Sequence, residues 1–86
     1  MNKQMIQEKT QTFLTQEFLF EFDGQLISSH TNLFVVGVLD SFGFVQLITF
    51  LEETYQIKFT DEELLGNQLN SLSNMVEIVS RKTGVF

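Results

Sequence analysis

Asp40 and Ser41 lie side by side, directly before an apolar run that begins at Phe42. A serine hydroxyl can act as a nucleophile or accept a covalent group, but a nucleophilic serine needs a neighbouring base to take its proton. The sequence has no histidine or lysine beside Ser41. We therefore interpret Ser41 as a residue that another enzyme modifies. The simplest alternative is a helix cap, because serine and aspartate are preferred at helix N-termini.

The rest of the sequence offers little other chemistry. The chain has no cysteine, so it has neither a disulfide nor a thiol nucleophile, and any thioester chemistry needs a thiol brought in from outside. His30 is the only histidine, which argues against a metal site built on it. We predict no metal site and no catalysis by the chain itself.

Apolar spacing predicts two long helices on either side of a loop. The helical pattern of the first covers about Lys3 to Phe20, and Asp23 and Gly24 are expected to stop the helix. The second runs from Ser41 to about residue 55. Its predicted apolar face has residues three or four apart: Phe44, Leu47, Ile48, Leu51 and Tyr55.

The opposite face of the predicted second helix is polar and holds Gln46, Thr49 and Glu53. Helical geometry places Phe42 on the same side. A large aromatic side chain on a solvent-facing stripe is poorly explained by core packing. We therefore predict that Phe42 contacts partner proteins, together with these three polar residues.

Two further helices are predicted near the C-terminus. Thr60 and Glu63 have the spacing of a capping box, which begins a short helix that Gly66 ends. The last helix begins near Asn70 or Ser71, and its apolar residues recur at helical intervals: Leu72, Met75, Val76 and Val79.

Residues 24–39 are rich in turn formers and predict a long ordered loop. A strand over residues 33–39 is the competing interpretation, although no second strand is available to pair with it. The predicted fold class is therefore all-α, a small four-helix bundle with three longer helices and one short helix.

Length and charge limit the classes of function. The 86 residues allow one domain around one core, so residues 1–86 are expected to form a single unit. Eleven acidic and five basic residues give a net charge of −6, which disfavours binding to nucleic acid or to an anionic membrane and predicts basic partners. The acidic residues that could meet such partners, or simply form a solvated face, are Glu52, Glu53, Asp61, Glu62 and Glu63.

The chain is also expected to be a cytoplasmic monomer. No stretch approaches the roughly 20 apolar residues of a membrane span. The first residues lack the continuous apolar core of a signal peptide.

Several segments occur in the order and at the intervals found in carrier proteins: Gly37–Gly43, Leu51–Ile57 and Thr60–Leu64, followed by Leu72. Over these segments the chain resembles the acyl and peptidyl carrier proteins, which hold 4′-phosphopantetheine. The resemblance implies that a phosphopantetheinyl transferase, using coenzyme A and a magnesium ion, attaches this group to Ser41. It also implies that Asp40 assists the metal in the encounter complex. A phosphodiester at the N-terminus of the second helix would be favoured by the helix dipole.

The residues after Ser41 point to a subtype. Carriers of the fatty-acid type commonly have leucine and then an acid at this point, whereas this chain has Phe42 and Gly43 and no acid until Glu52. That pattern is more similar to stand-alone D-alanyl, aminoacyl or aryl carriers, which AMP-forming ligases load. It implies an acyl, aminoacyl or aryl thioester in polyketide or nonribosomal peptide synthesis, and not in bulk fatty-acid synthesis. The alternative is an acidic helical adaptor without a prosthetic group.

Overall fold

The computed structural model describes residues 2–23, 27–66 and 68–85. They form four helices: α1 (Lys3–Phe18), α2 (Ser41–Tyr55), α3 (Asp61–Leu65) and α4 (Leu72–Thr83). Within these ranges there is no strand, and residues 33–37 form consecutive turns. The all-α fold class, with three longer helices and one short helix, is confirmed, and the strand considered for residues 33–39 is not formed. Helix α1 ends two residues earlier than predicted, while Gly24 lies outside the described residues.

Each helix begins after a polar residue that caps it. The capping side chain accepts a hydrogen bond from the backbone N–H three residues further on, and the four caps are Asn2, Asp40, Thr60 and Ser71. These bonds satisfy donors that a helix N-terminus leaves unpaired. The predicted capping box is confirmed, because Thr60 N also donates to Glu63 Oε1 at 2.7 Å.

The core lies between the three long helices and the loop before α2. The apolar side chains with no exposed surface at all come from all four of these segments: Ile6, Leu14, Leu33, Leu47, Leu51, Met75 and Val79. Helix α3 contributes no buried side chain. None of the described helices is long and apolar enough to cross a membrane.

The buried face of α2 is narrower than predicted. Its buried residues recur at every fourth position: Gly43, Leu47, Leu51 and Tyr55. Phe44 and Ile48 pack against the core but are only half-buried. The predicted face is therefore confirmed at its centre, whereas these two residues lie at its margin.

A buried hydrogen-bonded contact joins α1 to the C-terminal end of α2. The Tyr55 hydroxyl donates to the Ile6 carbonyl oxygen at 3.2 Å and lies 3.1 Å from Thr10 Oγ1. Thr10 is fully buried. Burial raises the pKa of Tyr55 above its ordinary value, and the hydrogen bond with Thr10 offsets part of that rise. The contact holds the N-terminal half of α1 against the end of α2.

Ionisation of Tyr55 gives a direct test of this contact, because it is the only tyrosine in the chain. We expect tyrosinate absorbance to titrate with a midpoint above 10.0 in the folded protein and near 10.0 in concentrated urea. With a raised folded-state pKa, the unfolded chain loses its proton first. Tyr55 therefore leaves the free energy of unfolding unchanged below about pH 10. Its ionisation lowers that free energy as the pH rises towards the folded-state pKa.

The matched variants are Tyr55→Phe alone and Tyr55→Phe combined with Thr10→Val. The single variant leaves the Thr10 hydroxyl buried without this partner, which should cost about 1–3 kcal/mol in urea unfolding. The double variant should be less destabilised than the sum of the two single changes. A folded-state midpoint at or below 10.0 would contradict the buried contact.

Candidate functional site

Ser41 is the first residue of α2, and its side chain is exposed to solvent. Its hydroxyl makes no hydrogen bond with the described part of the chain. The other five serines, at 28, 29, 71, 73 and 80, are all half-buried or buried. Ser41 is thus the most exposed of the six serines.

The cap of α2 is Asp40 and not Ser41. Asp40 Oδ1 accepts a hydrogen bond from Gly43 N at 2.7 Å, and its backbone oxygen accepts one from Phe44 N at 2.8 Å. The interpretation of Ser41 itself as the cap is therefore wrong. Because the cap uses Oδ1, the second carboxylate oxygen of the exposed Asp40 remains available to an incoming metal ion or enzyme.

The first turn of α2 is suited to an anion. The first helical bond is made by Phe44 N, so the N–H groups of Ser41 and Phe42 precede the helical ladder. Unpaired N–H groups and the helix dipole both favour negative charge at such a position. The donors present around Ser41 therefore fit a phosphate ester on its hydroxyl.

Helix α1 approaches α2 closely at Gly43. A Cβ atom on Gly43 would lie 2.8 Å from Phe18 Cε1 and 3.3 Å from the capping oxygen of Asp40. The Phe18 ring itself is packed edge-on against Phe13, with ring centroids 6.1 Å apart. Glycine at this position allows the ring to lie directly on the turn that presents Ser41. Sequence reasoning noted Gly43 only as a departure from the fatty-acid pattern and did not predict this contact.

The four predicted recognition residues do not form one uniform surface. Phe42 is 73% exposed, as predicted, and Thr49 and Glu53 are exposed on the same helix. Gln46 is half-buried, and its Nε2 donates to Glu17 Oε1 on α1 at 3.2 Å. Gln46 therefore contributes to the contact between α1 and α2, while the other three face solvent.

Sequence reasoning missed Val45, which is 63% exposed and lies three residues after Phe42. Val35 and Val36 in the preceding loop are exposed as well. The sequence did contain a signal for the exposure of Val45. This residue lies two positions from both Gly43 and Leu47, and residues two apart lie on opposite sides of a helix.

The five acidic residues predicted to form a surface fall into two groups. Two of them bond within the fold, and three are exposed. Glu52 Oε2 accepts a hydrogen bond from Phe59 N at 2.9 Å, and Glu63 pairs with Lys82 at 2.8 Å. Burial acts to raise the pKa of Glu63, but its bonds to Lys82 and Thr60 together hold that pKa below the ordinary value. The other three acids, Glu53, Asp61 and Glu62, are exposed.

No group of three or more metal-ligating side chains comes together in the described ranges, and His30 is an exposed loop residue.

Comparison with protein families gives a match over most of the chain. The family model described as phosphopantetheine attachment site matches residues 14–79, which include the loop, α2 and most of α4. Domains of this family are carriers and not enzymes, and they hold 4′-phosphopantetheine covalently on a serine. They are modified by phosphopantetheinyl transferases and interact with synthase enzymes. Comparison with curated proteins finds no match.

Substitution of Gly43 tests the packing beneath the site. In an unconstrained helix, Gly→Ala is stabilising by roughly 0.5–1 kcal/mol. We expect Gly43→Ala instead to destabilise by about 1–3 kcal/mol, because the new methyl group overpacks against Phe18. Urea unfolding monitored by circular dichroism measures the change. Adding Phe18→Leu should relieve part of the loss, and a stabilised Gly43→Ala variant would show that the contact is not tight.

Proposed function

The chain belongs to the phosphopantetheine attachment family, and on that premise we propose that Ser41 is the residue that carries the 4′-phosphopantetheine group. The observation that carries this proposal is the exposed hydroxyl of Ser41 at the anion-favouring start of α2. None of the other five serines combines exposure with this position.

Attachment requires a phosphopantetheinyl transferase and coenzyme A. The Ser41 oxygen forms a bond to the phosphorus next to pantetheine, the diphosphate bond breaks, and adenosine bisphosphate leaves. The base that removes the proton comes from the transferase, because no histidine or lysine adjoins Ser41 in the sequence. We assign to Asp40 a contact with the magnesium ion of that complex, through the carboxylate oxygen that does not cap α2.

The bound group supplies the thiol that the chain lacks, so that acyl, aminoacyl or aryl groups can be carried as thioesters. In this proposal the carrier acts as a cytoplasmic monomer, and an AMP-forming ligase loads it for polyketide or nonribosomal peptide synthesis. The support for this subtype is the Phe42-Gly43 pair after Ser41. The carrier's own contribution is to hold the cargo at high local concentration and to present it to successive enzymes.

We propose that partners recognise Phe42 together with the exposed Thr49 and Glu53. The charge distribution supports a basic partner, because the segment between Lys9 and Lys58 contains six acidic residues and no lysine or arginine. Complementary charge accelerates encounter and excludes wrong partners, while a desolvated aromatic side chain provides affinity. Gln46 has a smaller role here than the sequence predicted, because it bonds to α1.

Intact mass spectrometry tests the attachment residue. After incubation with coenzyme A and a broad-specificity transferase, we expect wild-type protein to gain one phosphopantetheine and Ser41→Ala to gain none. Ser41→Ala should change stability little, since the cap of α2 is Asp40. Ser71→Ala is the matched control: it removes a serine at the start of another helix, costs about 1 kcal/mol as a lost cap, and should still be modified. An unmodified wild type would favour the adaptor alternative, whereas a modified Ser41→Ala would place the group elsewhere.

Truncation of Phe42 tests the recognition surface. We expect Phe42→Ala to slow loading by the cognate enzymes by about 30-fold, which corresponds to about 2 kcal/mol, while the melting temperature changes little. Leu65→Ala is the matched control, because Leu65 is 82% exposed on α3, away from Ser41 in the sequence. Normal loading together with a much lower melting temperature would instead place Phe42 in the core.

A further inference from the structure

The Phe18 ring lies over the first turn of α2. Phe18 is the last residue of α1, and its side chain is half-buried. Two atoms at the edge of its ring, Cε1 and Cζ, lie 2.8 and 3.3 Å from the position that a Cβ atom on Gly43 would occupy. Gly43 is buried, although its neighbours Ser41 and Phe42 are exposed. The Phe18 ring therefore covers this side of the turn.

The same ring borders the hydrogen bond that caps α2. Asp40 Oδ1 accepts that bond from Gly43 N at 2.7 Å and lies 3.3 Å from the same Cβ position. The ring edge and the carboxylate oxygen thus lie on one side of Gly43. A hydrogen bond shielded from water is stronger than one in water, and the partly positive edge of an aromatic ring favours a negatively charged oxygen. Phe18 is therefore placed to hold the Asp40 carboxylate in a single orientation.

The orientation of Asp40 bears on the modification of Ser41. Because the cap uses Oδ1, the other carboxylate oxygen is the one that can contact the metal ion of the transferase complex. The cap also fixes the first turn of α2, and with it the direction in which the Ser41 side chain leaves the helix. Loss of a group that orients a metal ligand costs roughly 10–100-fold in metal affinity or activity. Phe18 has the position of such a group.

We propose that Phe18 is a positioning residue for the attachment of phosphopantetheine to Ser41. This inference rests on the proposed function. The ring keeps the bond between Asp40 and Gly43 closed, so that the free carboxylate oxygen and the Ser41 hydroxyl meet the transferase in one arrangement. Gly43 belongs to the same arrangement, because a side chain there would displace the ring from the cap. A role in packing alone would make Phe18 equivalent to other half-buried rings between α1 and α2.

Phe50 provides the matched control. It is also half-buried, and its ring stacks on that of Phe13 in α1, with centroids 4.1 Å apart. It lies about two helical turns after Gly43. Phe18→Leu and Phe50→Leu therefore remove the same atoms from the packing between the two helices, but only the first uncovers the cap.

Hydrogen exchange of the unmodified protein, followed by nuclear magnetic resonance, tests the contact itself. We expect the Gly43 amide hydrogen to exchange about tenfold faster in Phe18→Leu than in the wild type, because its bond to Asp40 opens more often. In Phe50→Leu this hydrogen should exchange as in the wild type. The amide of Leu51, which is fully buried in α2, reports global unfolding and corrects for a general loss of stability.

Single-turnover modification with excess transferase tests the positioning role. Coenzyme A and magnesium ion are supplied, and intact mass follows the product at a series of transferase concentrations. We expect Phe18→Leu to lower the rate at saturating transferase by about tenfold. The half-saturating transferase concentration should stay unchanged, because the defect acts after the two proteins have met. The magnesium concentration that gives half the maximal rate should rise. Phe50→Leu should match the wild type in all three quantities.

Phe18→Met keeps the inference testable if Phe18→Leu does not fold. Methionine fills irregular gaps, but its flexible side chain does not hold one position as a ring does. We expect faster exchange of the Gly43 amide and slower modification in this variant too, each to a smaller extent. Wild-type behaviour of the folded Phe18→Met protein in both measurements would overturn the inference.

Failure of this inference and failure of the proposed function give different results. Equal effects of Phe18→Leu and Phe50→Leu would reduce Phe18 to a packing residue, and Ser41 would remain the attachment residue. The same conclusion would follow if folded Phe18→Leu were modified at the wild-type rate. An unmodified wild type, or a modified Ser41→Ala, would overturn the proposed function without any change at Phe18.

Discussion

The hydrogen bond from Gly43 N to Asp40 Oδ1 sets the rest of the arrangement, because it determines the residue at which α2 begins. Each later residue of a helix is rotated by about 100° from the one before. With α2 helical from Ser41 onwards, packing of Gly43 and Leu47 against the core leaves Phe42 outside. A start one residue later would alter which N–H groups are unpaired around Ser41. One short bond thus fixes both the first turn of α2 and the donors around the candidate site.

Two contacts fix α2 against α1, one near each end. Phe18 lies over Gly43 at the start of α2, and Tyr55 bonds to α1 at its end. Between them, Phe13 stacks on Phe50. The order of these contacts shows that α1 and α2 run antiparallel. The first turn of α2 is therefore held by tertiary packing as well as by its cap. In the proposed function, the transferase meets a preorganised Ser41.

Local signals in the sequence predicted the helices well. The caps and the capping box gave the starts of α2, α3 and α4, and helical spacing gave the exposed position of Phe42. The contacts between elements were not predictable in this way. Periodicity gives the angle at which a side chain leaves its helix, but it does not identify the neighbour on another helix. The Gln46–Glu17 bond joins residues 29 positions apart, and the Gly43–Phe18 contact depends on how two helices cross.

Helix α3 differs from the other three helices because none of its side chains is buried. It is held by its capping box, by the half-buried Leu64 that packs against the edge of the core, and by the Lys82–Glu63 pair, whose side chains are about one-fifth exposed. Interactions of this kind contribute little compared with a packed core. Amide hydrogens of α3 should therefore exchange with solvent through local opening, well before those of the core helices. Such an opening would leave the fully buried core of α1, α2 and α4 intact, because α3 supplies none of its side chains.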